Sequence, residues 1–244
     1  EIRLSLVGSE MCIRDSSAAT ASGADGNDIL SGVERAQGSN FDDSLLGDSQ
    51  ANWLEGGLGN DTLSGGTDND SLRGDVGNDL LLGGEGNGDW VRYSPASGAI
   101  TVDLAAGTAS GAENLDTLIG VENILGSTFA DSLMGDTNAN LLDGSTGNNT
   151  LSGAAGNDTL MGNTGVDSLA GGIGDDSLNG GAGIDWAFYG AASGAVTLDL
   201  VARIATGADG NDVLFGIENV VGSNFADSLL GDSAANSLEG GAGN

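Results

Sequence analysis

Apolar and polar positions along this chain recur every nine residues. Aspartate or asparagine stands at 43, 52, 61, 70 and 79, and again at 131, 140, 149, 158, 167, 176 and 185. A leucine follows two residues later: Leu45, Leu54, Leu63, Leu72 and Leu81, then Leu133, Leu142, Leu151, Leu160, Leu169 and Leu178. Glycine precedes the acid in the order Gly-Gly-x-Gly-x-Asp, clearest at 56–61, 171–176 and 180–185. Glycines supply positive φ and let backbone approach backbone, so the first six residues of each unit predict a tight turn. The next three, such as Thr62-Leu63-Ser64, predict a short strand with one apolar side chain facing inward. Two units make one coil, with parallel strands stacked about 4.8 Å apart. The predicted fold is all-β: a right-handed parallel β-roll, or β-solenoid, of stacked 18-residue coils with hairpin-like inserts.

A longer period overlies the short one. Residues 23–60, 111–148 and 207–244 are three copies of one segment, and the stretch from Asp89-Trp90 to Leu104 returns from Asp185-Trp186 to Leu200. This divides the chain into a roll block at 17–91, a strand or hairpin insert at 92–110, a second block at 111–188, a second insert at 189–206 and a third block at 207–244. Residues 6–16 look like a sequencing adapter translated into the reading frame, and the internal similarity stops upstream of Ser17. Residues 1–16 are therefore expected to be foreign to the fold. The chain stops at Asn244 within a repeat, so both ends are expected to be the edges of a fragment.

One leucine per strand makes a thin core. Each contributes roughly 1.5–3 kcal/mol on burial, against about 1–2 kcal/mol of backbone ordering for every residue. Hydrophobic burial alone cannot close such a coil. Acids eighteen apart lie above one another, so Asp61 is expected to face Asp79, Asp158 to face Asp176, and Asp167 to face Asp185. Stacked carboxylates repel in a partly desolvated edge unless a cation bridges them. A hard cation taking six or more oxygens meets that need, and calcium accepts irregular carbonyl-rich geometry where magnesium demands an octahedron and keeps its waters.

Composition sharpens this. The 244 residues include 45 glycines and one proline, with 36 acidic residues against six arginines, no lysine and no histidine, a formal net charge of −30. Like charges repel, so nucleic acid is not an expected partner. No apolar run approaches a membrane span, and no membrane insertion is expected. Without histidine there is no Ser-His-Asp triad or usual zinc site. Without lysine there is no Walker A loop or Schiff base. The single Cys12 cannot form an internal disulfide. Paired carboxylates occur in glycosidases too, but the repeat accounts for every pair here, and no enzyme activity is expected.

The nonapeptide resembles the haemolysin-type, or RTX, calcium-binding repeat, over nearly all of residues 17–244. In that family one turn offers the carbonyls of its second and fourth residues with its aspartate. The turn one coil later offers its first and third carbonyls with its own aspartate. The resemblance thus implies three Ca²⁺ sites: Gly57, Gly59 and Asp61 with Gly74, Val76 and Asp79; Ala154, Gly156 and Asp158 with Gly171, Ile173 and Asp176; and Asn163, Gly165 and Asp167 with Gly180, Ala182 and Asp185. Asp43, Asp70, Asp131 and Asp227 are further candidate ligands, although Gly88 displaces Asp89 by one residue from its pairing with Asp70. Asn52, Asn140, Asn149 and Asn236 replace the acid and mark weak or empty sites.

Outside the nonapeptides, a Gly-Val/Ile-Glu hexad recurs at 32–37, 120–125 and 216–221. Packing is its expected role, with Glu34, Glu122 and Glu218 as secondary ligand candidates. Trp90, Tyr93, Trp186 and Tyr189 are expected to fill or cap the roll rather than to stack on carbohydrate. The resemblance further implies a secreted, extracellular bacterial protein exported unfolded by a type I route, folding when it meets calcium. The long-period repetition favours part of a structural or adhesive protein. The alternative is the non-catalytic calcium module of a secreted metalloprotease, lipase or alginate epimerase.

Overall fold

The computed structural model describes residues 12–23, 26–111 and 114–243. Among them every regular element is a strand, and no helix is long and apolar enough to cross a membrane. The chain forms two compact units, one up to Asn123 and one from Ile124 onward. Each is a β-solenoid of stacked parallel coils.

In the first unit two ladders run through the coil. Ser44–Leu46, Thr62–Thr67 and Leu80–Glu85 pair in parallel with Leu45 on Leu63 and Leu63 on Leu81. Trp53–Leu58, Ser71–Val76 and Trp90–Arg92 form the other, with Leu54 on Leu72 and Leu72 on Val91. The second unit repeats the plan: Leu133, Leu151, Leu169, Ala187, Val220 and Leu238 succeed one another on one ladder, and Leu142, Leu160, Leu178 and Leu214 on the other. Leu63, Leu72, Leu81, Leu142, Leu160, Leu169 and Leu178 have no exposed surface, and Val102, Ala109, Leu198 and Ala205, outside these ladders, are buried as well.

Alternation along the strand decides what shares that interior. In Asp61-Thr62-Leu63-Ser64-Gly65 the acid, the leucine and the glycine are buried while the residues between them reach outward. The same order holds in Asp167-Ser168-Leu169-Ala170-Gly171. A period of two therefore brings the acid of one turn and the first glycine of the next to the same side as the leucine. The glycine-rich turns are shaped by positive φ at their second and fourth residues, as at Gly57 (φ 108) and Gly59 (φ 127). Asp75 (φ 66), Ala154 (φ 75) and Asn163 (φ 68) hold the second position without glycine's freedom.

Both units extrude a hairpin. In the first, Ile100–Asp103 and Thr108–Gly111 pair antiparallel, and the chain re-enters the solenoid with Thr117, Leu118 and Ile119 on Leu80, Leu81 and Leu82. In the second, Thr197–Asp199 and Ile204–Gly207 pair antiparallel, and Val213, Leu214 and Phe215 return onto Ser177, Leu178 and Asn179. Of the segment expected to be foreign, Cys12–Ser16 lie in the strand Cys12–Gly23, which pairs antiparallel with Gly26–Gln37 and slips register at Ser16. Residues 1–11 lie outside the described residues.

Candidate metal centres

The acids form a row along each edge. The backbone N–H of Asp61 donates to Oδ1 of Asp79 at 2.8 Å, that of Asp158 to Oδ1 of Asp176 at 2.8 Å, and that of Asp167 to Oδ1 of Asp185 at 2.8 Å. Asp43 donates in the same way to Asp61, Asn52 to Asp70, Asn140 to Asp158 and Asn149 to Asp167. The insertion at Gly88 is absorbed within its turn, because Asp70 still donates to Oδ1 of Asp89 at 2.7 Å. Residues just before the acids make a second ladder in the opposite sense, where Asn78 donates to Asn60 and Asp175 to Asn157, although Asn69 donates to Asp68 within its own turn.

With Oδ1 engaged, the other oxygen tells the story. Oδ2 of Asp61, Asp70, Asp79, Asp89, Asp158, Asp167, Asp176 and Asp185 is buried and accepts no hydrogen bond. A buried carboxylate oxygen without a donor is costly, and eight in stacked rows are not accidental. Each points toward the first glycine of its own turn. A Cβ on Gly153 would lie 2.2 Å from Oδ2 of Asp158 and 2.5 Å from the carbonyl oxygen of Gly171. A Cβ on Gly56 would lie 2.2 Å from Oδ2 of Asp61 and 2.8 Å from the carbonyl oxygen of Gly74. At Gly162 the corresponding atoms are Oδ2 of Asp167 at 2.4 Å and the carbonyl of Gly180 at 2.7 Å. Only glycine lets both oxygens approach the backbone this closely, so a carboxylate oxygen of one coil and a carbonyl oxygen of the next converge on one point.

The turn carbonyls keep acceptor capacity. Val76 and Ile173 each accept one backbone N–H, from Gly59 and Gly156, and a carbonyl has two lone pairs. Electrostatics agree with the geometry. Asp61 and Asp176 are raised to about 6, and Asp70, Asp79 and Asp158 to about 7. Burial is the largest cause, the N–H from the neighbouring coil pulls the other way, and nearby carboxylates add to the rise. Asp89, Asp167 and Asp185 are also raised, again chiefly by burial. Among the described residues no three acidic, histidine or cysteine side chains converge as metal-holding groups. The donor set is instead carboxylate pairs with backbone carbonyls, all oxygen, which fits a hard cation of high coordination number and not zinc or copper.

The sequence-derived candidates divide accordingly. The pairs Asp61 and Asp79, Asp70 and Asp89, Asp158 and Asp176, and Asp167 and Asp185 come together, each with an orphaned oxygen per residue. Asp43, Asp131 and Asp227 do not join this class. Their Oδ2 atoms accept the N–H of Ser39, Ser127 and Ser223, four residues back, and the serine hydroxyls donate to the same carboxylates. Serine at the second position closes these turns with protein donors alone. Asn52, Asn140 and Asn236 close theirs likewise, accepting from Asp48, Asp136 and Asp232. Asn149 differs: its Nδ2 donates to the carbonyls of Gly147, at 3.3 Å, and Gly162, at 3.5 Å. Those are the fourth carbonyl of its own turn and the first of the next coil's, so the amide hydrogens stand in for a cation.

Two row members, Asp116 and Asp212, were not picked out from the sequence, whereas Glu122 and Glu218 were secondary ligand candidates. Asp79 donates to Oδ1 of Asp116 at 3.0 Å and Asp176 to Oδ1 of Asp212 at 3.1 Å, each across the extruded hairpin. The hydroxyls of Tyr93 and Tyr189 donate to the other oxygen of these residues, at 3.0 and 2.8 Å, ending the row without a naked carboxylate. Gly207-Ala-Asp-Gly-Asn-Asp212 carries the nonapeptide order and was the available signal. On the other row, Asp89 donates to Oε2 of Glu122 and Asp185 to Oε2 of Glu218.

Comparison with known families agrees with this geometry. The profile of the RTX calcium-binding nonapeptide repeat, four copies long, matches residues 31–63, 55–89, 116–151, 125–160, 152–187 and 221–244, together more than half of the chain. A search of curated proteins found no match. The stacked coils, the acid rows and the repeat profile lead to one assignment: the chain belongs to the RTX calcium-binding nonapeptide repeat family.

Proposed function

We propose that this chain is a non-catalytic, calcium-dependent folding module of an extracellular structural or adhesive protein. One observation carries the reading: eight buried aspartate oxygens lack a donor, and each is packed against the first glycine of its own turn. Asp158 with Ala154 and Gly156 on one coil, and Asp176 with Gly171 and Ile173 on the next, would hold one ion. Asp167 with Asn163 and Gly165 would share another with Asp185, Gly180 and Ala182. In the first unit Asp61, Gly57 and Gly59 would act with Asp79, Gly74 and Val76, and Asp70 with Asp89. Bound calcium supplies the positive charge that lets paired carboxylates stay ionised inside the coil.

The protein's own residues do the rest. Backbone N–H groups fix Oδ1, so only Oδ2 remains to meet the ion, and the glycines let carboxylate and carbonyl oxygens converge. With 36 acidic residues against six basic ones, the chain repels itself where calcium is scarce. Site formation and folding are then one event. Such coupling suits export in an unfolded state through a type I route, with folding in the calcium-rich medium outside the cell. Circular dichroism of the full chain during calcium titration tests this. A gain of β signal with calcium, and none with equal magnesium, is expected; equal β structure in chelator would refute the coupling.

A further inference from the structure

We infer that Glu122 and Glu218 are calcium ligands, each closing the last site of one acid row through a turn of three residues instead of six. The inference rests on the calcium reading above and extends it to a turn type that the nonapeptide does not describe. Elsewhere in the rows, the first glycine of a turn and its acid are separated by four residues, or by five between Gly83 and Asp89. Here Gly120 and Glu122, and Gly216 and Glu218, are separated by one, Val121 or Ile217, which is buried. Gly120 (φ 61) and Gly216 (φ 56) take the left-handed conformation that makes so short a turn.

The two units arrive at the same arrangement. The N–H of Asp185 donates to Oε2 of Glu218 at 2.9 Å, and that of Asp89 to Oε2 of Glu122 at 3.0 Å. In return, Glu218 and Asn219 donate to the carbonyl of Asp185, and Glu122 and Asn123 to that of Asp89. These contacts put each glutamate where the next coil's aspartate stands elsewhere in the row. The longer side chain makes up the reach that the shortened turn gives away.

The same convergence of carboxylate and carbonyl oxygens recurs at both. Oδ2 of Asp185 and of Asp89 is buried without a donor, and both residues have no exposed surface. A Cβ on Gly180 would lie 2.6 Å from Oδ2 of Asp185 and 2.2 Å from the carbonyl oxygen of Gly216. A Cβ on Gly83 would lie 2.7 Å from Oδ2 of Asp89 and 1.8 Å from the carbonyl oxygen of Gly120. This is the relation of Gly153 to Asp158 and Gly171 in a two-aspartate site, with the glycine of the short turn supplying the carbonyl. The short turn has no third-position carbonyl, so water completes the shell and these are the weaker sites. Tyrosine ends one row of each unit with a proton donor; glutamate ends the other with a metal ligand. The third hexad is an internal contrast, since Glu34 is exposed in the strand Gly26–Gln37.

Calcium stoichiometry of the full chain, by titration calorimetry and equilibrium dialysis, tests the inference. Glu218→Gln keeps an oxygen for the N–H of Asp185 and removes only the charge. It should bind one ion fewer than the parent, and Glu122→Gln with Glu218→Gln two fewer, with the β signal in saturating calcium retained. Glu218→Asp keeps the charge but shortens the reach, and should also lose one ion; Glu34→Gln should lose none. Unchanged stoichiometry in the double variant, or an equal loss in Glu34→Gln, would overturn the inference while the two-aspartate sites stand. A parent chain that takes up no calcium would instead overturn the underlying reading.

Discussion

Filling a single cradle gives the sharpest test of the metal sites. Gly153 has no positive φ among the strained positions, so alanine fits the backbone there. Its methyl, however, would lie 2.2 Å from Oδ2 of Asp158, 2.7 Å from Cγ and 2.5 Å from the carbonyl of Gly171. The carboxylate and the carbonyl that border the site cannot both stay in place. If no ion bound there, moving these two oxygens would cost the same with and without calcium, and the ion count would not change. If the site holds calcium, the variant loses one ion, and with it about 2.7 kcal/mol at a calcium concentration a hundredfold above that site's Kd. At roughly 2–4 °C per kcal/mol for a domain of this size, the melting temperature in calcium should fall by about 5–10 °C. The assay is a calcium-saturated thermal melt with a parallel count of bound ions. Gly190→Ala serves as the control, because a Cβ there meets nothing within 4 Å. A variant at Gly153 that melts higher than the parent and keeps every ion would refute the argument.

Further outcomes follow from the same rows. Asn149→Asp exchanges an amide that donates to the carbonyls of Gly147 and Gly162 for a carboxylate; calorimetry should count one more ion, and the chelated chain should be less structured than the parent. Carboxylates raised from 3.8 to about 6 or 7 bind more protons folded than unfolded, so the calcium-free roll gains stability as pH falls from about 7 toward 4 and loses it as pH rises. Circular dichroism in chelator should therefore show more β structure at pH 4 than at pH 8, with calcium affinity falling over the same interval, and the opposite order would sink the pKa argument. Tyr189→Phe removes the donor to Oδ2 of Asp212; a melt in calcium should show a loss of about 1–3 kcal/mol, and Tyr93→Phe should do the same through Asp116.

The nine-residue period by itself determined the solenoid. Leucine two places after the acid fixes a three-residue strand, and spacing by eighteen sets Leu45 on Leu63 and Leu151 on Leu169. A one-residue slip would turn every leucine outward, so register follows from sequence alone, and with it the stacking of Asp158 and Asp176. What the period could not tell is how each carboxylate spends its two oxygens. Asp43 and Asp158 occupy the same place in the repeat, yet Ser39 supplies donors to one, while Ala154 at the corresponding position of the other turn has no hydroxyl. The row ends lay beyond the period too: Asp116, Asp212, Glu122 and Glu218 meet their partners across 33 to 37 residues. A hairpin can be inserted provided the chain returns with an apolar residue on the leucine ladder, and its own strand can join the stack, as Thr197–Asp199 does on Ser228–Leu230. Tertiary register therefore chose those contacts, because burial of Leu118 and Leu214 constrains where the strand re-enters and leaves the loop before it free.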